Sequence, residues 1–486
     1  MYSQINDPRR WILTEALDEV AAHRPDAPWL TDADGHRLDF GQARDFGRRA
    51  AGFFARLGVE HEDRAGILLF NSCDFALAWL GLAYRGATAV LFNTELSGNF
   101  LRHQLVDARL RLLVIDAELL PALIAVADDV AGLRTLVIVG ELPAGVTLPG
   151  HWEVQAWPDW NTQPDWDGPG PRAQDIASIM YTSGTSGPAK GVLMPHAHCT
   201  LYGIGTLQSL GLTALDRYYI TLPFFHANGL LMQLGATLLA GCPAHTRRRF
   251  SASQWLDDIR AQRATVTNLL GATGAYVLAQ PPGAHDRDHA LRVCMNVPNT
   301  RAHDAQFRAR FGVDVVSGFG MTECNMPILG RAGRPAPGAA GWVLDDYFEV
   351  RVVDPGTDLP MPPGEAGEIV VRPKIPFGFM AGYFNAPDKT VEAWRNLWFH
   401  SGDAASMDAG GLLTYIDRIR DTIRRRGHNI AASEVEATVI ELDGVAEVAA
   451  VAVPSLLEGG EDELMLVIVP EQGVRLDPLA LGPKSF

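Results

Sequence analysis

The sequence predicts an α/β fold: a large N-terminal domain of two βα blocks plus a β-barrel-like subdomain, then a small α+β C-terminal domain. Three observations carry this. Short apolar runs of strand length alternate with helix-period segments from residue 11 to residue 325, the pattern of parallel strands buried on both faces. Beyond residue 339 the runs become β-prone and are cut by Pro and Gly. From residue 417 the chain turns charged before one helical and two strand-like stretches. With 486 residues, 47% of them apolar, it is too long for one core, and a typical domain length divides it into roughly three units.

Trp11–Ala22 carries apolar residues near helical spacing. Ala65–Phe70 (AGILLF) has the length and composition of a buried strand, and Asp74–Tyr84 returns to a helical period. Ala87–Phe92, Leu112–Ile115 and Thr135–Val139 repeat the strand signal, and Ala156–Pro171, rich in Pro, Asp, Gly and Trp, reads as a surface connection. A second alternating block covers 175–325. FEVRVV and GEIVVR, between Ala339 and Arg372, predict the β-rich subdomain. Ser433–Leu442 predicts a helix, and Val445–Val453 and Glu463–Val469 predict strands. The expected boundaries are 1–416 for the N-terminal domain, with βα blocks at about 11–170 and 175–338 and the β-rich part at about 339–415, and 417–486 for a C-terminal lid.

Composition narrows the function. Against 57 acidic residues stand 41 Lys and Arg, a net charge of −16, which argues against a nucleic-acid surface. A few cations with backbone N–H groups still make a local phosphate site. The five cysteines are odd in number and never paired as C-x-x-C, so reduced cytosolic thiols are expected rather than disulfides or zinc. Residues 1–10 lack an apolar signal segment, and the apolar stretch Phe75–Phe92 is broken by Arg85. A soluble, cytoplasmic protein is expected.

The densest chemical signal is Tyr181–Val192, YTSGTSGPAKGV, after the apolar run Ile176–Tyr181. Ser, Thr and Gly leave the backbone free to wrap an anion, and Lys190 adds charge. The Walker A spacing fails, because Ala189-Lys190-Gly191 stands where Gly-Lys-Ser/Thr is required. The Rossmann spacing fails as well. Ser317–Glu323 (SGFGMTE) follows the strand-like Val313–Val316 and offers an aromatic ring, a hydroxyl and a carboxylate. Those are parts that stack a purine, bond a phosphate and hold Mg²⁺. Trp398–Asp403 (WFHSGD) places a carboxylate after a tight Ser-Gly turn, and Asp417–Ile423 (DRIRDTI) supplies Arg418. Taken singly, each segment is also what a structural turn looks like.

In this order the segments resemble the adenylate-forming superfamily of acyl-CoA synthetases and AMP-binding enzymes, over about residues 10–475. Arg249–Pro282 looks most like the carnitine/crotonobetaine-CoA ligase branch. The resemblance implies a phosphate loop of Thr182, Ser183, Gly184, Thr185, Ser186, Gly187 and Lys190. It implies further nucleotide contacts from Asn296, Gly318, Phe319, Gly320 and Met321, with Phe319 where a tyrosine usually stacks on adenine. Thr322 falls near the α-phosphate and Glu323 at the Mg²⁺ carboxylate. Asp403 and Arg418 match the pair that grips the ribose, Arg420 the hinge and Gly427 the glycine beside the CoA arm. His226, in LPFFHANG, is expected on the wall between acyl pocket and thiol entry, with Asn228, Met232, Gly271 and Val297 lining the pocket.

The implied substrates are a small carboxylic acid, ATP and CoA, with Mg²⁺, without nucleic acid or membrane; a homodimer is left open. A carboxylate resists thiols because its leaving group would be oxide. Attack on the α-phosphorus of ATP converts that leaving group into AMP, a step needing positioning and charge neutralisation. Two departures from the family stand out. Met295-Asn296-Val297-Pro298-Asn299 replaces a Gly/Ala-rich turn. The family's C-terminal catalytic lysine motif is matched at most by Pro483-Lys484-Ser485, as in a shortened member or an incomplete chain. A carrier-protein thiol as acceptor, or an adenylate-binding module without the first half-reaction, are the alternatives. Cys324 is expected as a small buried residue rather than a nucleophile.

Overall fold

A computed structural model of the chain describes residues 1–182, 188–418, 422–425, 428–440, 442, 444–453, 463–471 and 473–474. It divides into two compact units, residues 1–349 with 372–399, and residues 350–371 with 400–486.

In the first unit, an eight-stranded sheet runs in the order Gly382–Tyr383, Lys190–Pro195, Ile176–Thr182, Thr88–Leu91, Arg64–Leu68, Leu112–Asp116, Thr135–Val139, Glu153–Ala156. From Ile176–Thr182 to Glu153–Ala156 all neighbours are parallel. The apolar runs become strands because helices cover both faces: Thr88–Leu91 is buried throughout, as are the first four residues of Leu112–Asp116. The helix Cys73–Arg85 starts where Ser72 accepts from the Phe75 N–H and ends at Gly86, whose φ of +70° closes the C-terminus. Gly47 lies on the helix Phe40–Arg56, and a Cβ there would come 3.0 Å from the Tyr84 ring, so the two helices meet closely.

A second, seven-stranded sheet runs Asp314–Val316, Val293–Val297, Val266–Leu270, Tyr218–Ile220, Ala244–Thr246, Pro28–Thr31, Arg37–Asp39, parallel except for the last pair. The helix His196–Leu210 is buried on every side but Gln208, which is why its sequence shows little amphipathic period. The expected surface connection at 156–171 is pinned by Trp160, buried edge-on against Trp157 and Phe53. All five cysteines are free and buried, Cys324 among them. Among the described residues no helix is long and apolar enough to cross a membrane.

In the second unit, Phe399–Met407 runs antiparallel to Leu412–Arg418. Beyond it, the helix Ala432–Val439 packs on the hairpin of Val445–Val453 and Glu463–Pro470, burying Ala432, Val435, Val439 and Ala450. The helix and two strands expected from the sequence are these elements.

Candidate active site

Ile176–Thr182 pairs antiparallel with Lys190–Pro195, placing Thr182 opposite Lys190. The chain therefore leaves the C-terminal end of a parallel strand and returns beside it, bracketing the Ser/Thr/Gly loop. Ser183, Gly184, Thr185, Ser186 and Gly187 lie outside the described residues, as do Arg420 and Gly427. Thr182 and Lys190 mark the loop's two ends, and the Thr182 hydroxyl lies 3.5 Å from the Lys190 carbonyl.

Lys190 extends over Tyr383, its ammonium 4.3 Å from the ring centroid. The Tyr383 hydroxyl donates to Glu323 Oε1 at 2.9 Å. Tyr383 is placed by the short strand Gly382–Tyr383, which pairs Tyr383 with Val192 two residues beyond Lys190. The Tyr383 N–H also donates to the Thr390 hydroxyl. Glu323 is 4% exposed. Burial raises its pKa, against the lowering effects of the Tyr383 hydrogen bond and the Lys190 charge. Sequence reasoning missed Tyr383: an aromatic residue after a glycine carries no chemical signal of its own.

Ser317–Glu323 follows the strand Asp314–Val316, as the sequence led us to expect; in addition Gly318–Met321 is itself a strand, paired with Asn325–Leu329, and Thr322, Glu323 and Cys324 form the connecting turn. Within that turn Thr322 is half-buried and Glu323 buried, and Phe319 is buried within the strand at 6% exposure. Gly320 has the reason for being glycine: a Cβ there would sit 2.3 Å from the Asn325 carbonyl oxygen and 2.3 Å from Met326 Sδ. Gly320→Ala is accordingly expected to destabilise the chain by about 1–3 kcal/mol through overpacking, read as a lower urea midpoint.

Three further residues hold this turn. His198 Nε2 donates to the Thr322 carbonyl at 2.9 Å, and Asn325 Nδ2 lies 3.3 Å from His198 Nδ1 and donates to the His198 carbonyl at 2.8 Å. A donor on one side and an acceptor on the other require the neutral Nε2–H tautomer. Burial agrees, taking the His198 pKa down to about 4. Tyr202 donates to the Met321 carbonyl at 2.7 Å. His198 and Tyr202 sit one helical turn apart on His196–Leu210, a spacing visible in PHAHCTLY but without meaning until the hairpin is placed.

On the expected acyl side, Asn71 clamps LPFFHANG: its Nδ2 donates to the Leu222 carbonyl and its Oδ1 accepts from the Phe224 N–H. His226 follows, its ring 4.5 Å from Phe225. Its ring keeps solvent contact while the surrounding protein lowers its pKa by desolvation, as a recess does. Asn228 opens a π-helix, Asn228–Gly235, that buries Met232; such helices are frequent at functional sites. Asn228 Oδ1 accepts from Asn268 Nδ2 at 2.9 Å and Gln233 Nε2 at 3.2 Å. Gly271 starts the helix Gly271–Leu278, close to the Pro298 carbonyl. Asn296 and Val297 end a strand; Asn296 is 1% exposed, donates to Asn299 Oδ1, and packs against Gly274.

In the second unit, the tight turn expected at Ser401-Gly402 does not form. Both residues lie inside Phe399–Met407, with Gly402 at φ +74°, and Asp403 pairs across to Arg418. Asp403 is 7% exposed; its N–H donates to the Ser401 hydroxyl, and it accepts from Tyr415 at 3.2 Å. Glu368 braces this segment through His400 Nδ1 at 2.8 Å and the Gly402 N–H. Glu368 and Tyr415 also escaped sequence reasoning.

The Thr322-Glu323 turn fits a divalent cation. The Thr322 hydroxyl has no partner among the described residues, and the buried Glu323 carboxylate pays a desolvation penalty that a dication would relieve. One carboxylate and one hydroxyl are enough for Mg²⁺, which keeps waters and takes its remaining ligands from phosphate.

Residues 17–384 match the family model described as AMP-binding enzyme. The chain is 31% identical over 469 residues to the sulfoacetate–CoA ligase of Cupriavidus necator, covering 95% of this chain and 88% of that one. It is 28% identical over 437 residues to the crotonobetaine/carnitine–CoA ligase of Salmonella typhi, covering 88% and 83%. Its fold matches an anthranilate CoA ligase in complex with anthranoyl-AMP, with a TM-score of 0.84 at 24% identity over 97% of this chain and 89% of that one. It also matches ATP-bound MatB from Rhodopseudomonas palustris, with a TM-score of 0.79 at 23% identity over 96% and 90%.

Proposed function

This chain belongs to the AMP-binding enzyme family and is an AMP-forming acid–thiol ligase; on that premise we propose that it activates a small carboxylic acid as acyl-AMP at the Thr182–Lys190 and Thr322-Glu323 segments, then transfers the acyl group to CoA. The observation that carries this reading is the contact chain Lys190–Tyr383–Glu323, which couples one end of the Ser/Thr/Gly loop to the buried carboxylate.

In the first step the acid's carboxylate oxygen attacks the α-phosphorus of ATP and pyrophosphate leaves. Lys190 neutralises phosphate charge, and the Thr322 hydroxyl donates to a phosphate oxygen. Glu323 and Thr322 would hold Mg²⁺, which would supply charge neutralisation for the phosphates. Tyr383 orients the Glu323 carboxylate and favours its ionised form against the opposing effect of burial. In the second step the CoA thiolate sulfur attacks the acyl carbonyl, the C–O bond to AMP breaks, and the thioester and AMP are released. His226, Asn228, Met232, Gly271 and Val297 are assigned to the acyl recess, and Asp403 with Arg418 to the ribose hydroxyls.

The test is acid-dependent ATP–pyrophosphate exchange over a panel of carboxylic acids, followed by thioester formation with CoA. Exchange absent for every acid, together with tight binding of supplied acyl-AMP, would replace the ligase with an adenylate-binding module. Exchange without CoA thioester, restored by a carrier-protein thiol, would change the acceptor. Asp403→Ala is expected to weaken ATP binding by about 10- to 100-fold, the loss of one or two charge-assisted hydrogen bonds; unchanged affinity in a direct titration removes the ribose assignment.

A further inference from the structure

At the opposite edge of the eight-stranded sheet, where parallel strands begin, lies a cleft of about 350 Å³. Arg64, Leu112, Thr135 and Glu153 are the first residues of four neighbouring strands and line it. The Ser/Thr/Gly loop leaves the other end of this sheet, so the cleft is separate from the nucleotide site. Arg109, Arg111 and Arg134 line it too, so that four arginines border the cleft against two acidic residues, Asp63 and Glu153. In a chain of net charge −16, this local excess of arginines stands out, with Arg109, Arg111 and Arg134 exposed around the cleft.

Three of the four arginines are not consumed by the fold. Arg64 is anchored, its Nε donating to the Ala108 carbonyl and its guanidinium stacked over Phe384. Arg109, Arg111 and Arg134 form no ion pair among the described residues. Arg109 is also held at φ +50°, ψ +50° as the C-cap of the helix Gly98–Ala108, a left-handed position where glycine is the favoured residue. A strained arginine kept at the mouth of a cleft is the kind of outlier from which function is inferred. The Asp63 carboxylate is partly engaged by the Glu60 N–H, leaving the guanidinium groups dominant.

We propose that this cleft binds a small phosphate monoester, held between Arg64, Arg109, Arg111 and Arg134, at a site remote from the adenylating centre. Guanidinium forks match phosphate oxygens bidentately. The cleft's size sits at the low end for small-molecule sites, and its concavity favours a compact anion over a polymer. The phosphate comes from a soluble metabolite or from a lipid headgroup; the chemistry of recognition is shared.

The experiment titrates glycerol 3-phosphate into the full-length chain by calorimetry, with saturating α,β-methylene-ATP to block the nucleotide site and sodium chloride at matched ionic strength as control. Wild type is expected to bind, and the triple variant Arg109→Ala/Arg111→Ala/Arg134→Ala to lose at least about tenfold in affinity, the equivalent of one decade in Kd. Arg109→Gly is the second variant: relief of the left-handed strain should raise the unfolding midpoint while affinity falls. Binding to phosphatidic-acid vesicles but not to glycerol 3-phosphate, lost in the triple variant, would support the site and place its phosphate on a lipid. No binding to either probe, or equal affinity in wild type and Arg109→Gly, overturns the proposal. Because the readout is binding with the nucleotide site blocked, its failure is distinct from failure of the ligase reading.

Discussion

Glu323→Gln is expected to lower acid-dependent ATP–pyrophosphate exchange by about 10²- to 10³-fold, the usual cost of removing one preorganised charge-stabilising group, while the fold is retained. Gln is isosteric and neutral, and burial already disfavours the Glu323 charge, so unfolding stability should be unchanged or slightly higher. That combination separates a functional carboxylate from a structural one. Its pH dependence follows from the same cause. With its pKa above the ordinary carboxylate range, Glu323 binds more protons in the folded chain than in the unfolded one across that window. Stability therefore falls as pH rises through it, whereas exchange, which needs the carboxylate, should rise. Tyr383→Phe removes the hydrogen bond that favours the charged form, so the acid limb of the exchange profile should move to higher pH. Activity of Glu323→Gln within a few-fold of wild type would remove the cation-binding assignment.

His198→Ala is expected to cost about 3 kcal/mol of stability at neutral pH. It strands the Thr322 carbonyl, removes one of the two contacts of Asn325 Nδ2 and leaves a cavity in place of a fully buried ring. His198 titrates near pH 4 in the folded chain against 6.5 ordinarily, a depressed value, so its contribution is fully present above pH 6.5. It is lost as pH falls toward 4, because the unfolded state takes up the proton first. The gap between wild type and variant in urea unfolding should narrow by on the order of 2 kcal/mol between pH 7 and pH 5. His196, also held near 4 by burial, remains in both proteins and cancels in the difference. A gap independent of pH would mean that His198 is not buried in the neutral form.

The strands and helices were legible wherever an element buries its own apolar residues. Thr135–Val139, Asp74–Tyr84 and the terminal hairpin with its helix are examples. The strand within Ser317–Glu323 was not visible, because two glycines hid it: Gly318 and Gly320 lie in it because Leu329, Met326 and Asn325 leave no room for a Cβ. Ser401-Gly402 looked like a turn for the same compositional reason, yet the Ser401 hydroxyl donates to the Ile369 carbonyl, and the residues stay in the strand. Thr322 and Glu323 carried their own chemistry and could be picked out from the string. Tyr383, His198, Asn325 and Glu368 could not.

By itself the sequence determined the α/β class, the alternation that builds parallel sheets, and the residue types able to meet a phosphate, since these depend on local composition and period. Only the tertiary structure decided which side chains complete that site. Tyr383 reaches Glu323 across 60 positions and His198 reaches Thr322 across 124. Sheet order sets those meetings, and it emerges from the packing of whole elements, a property that no short window of residues contains.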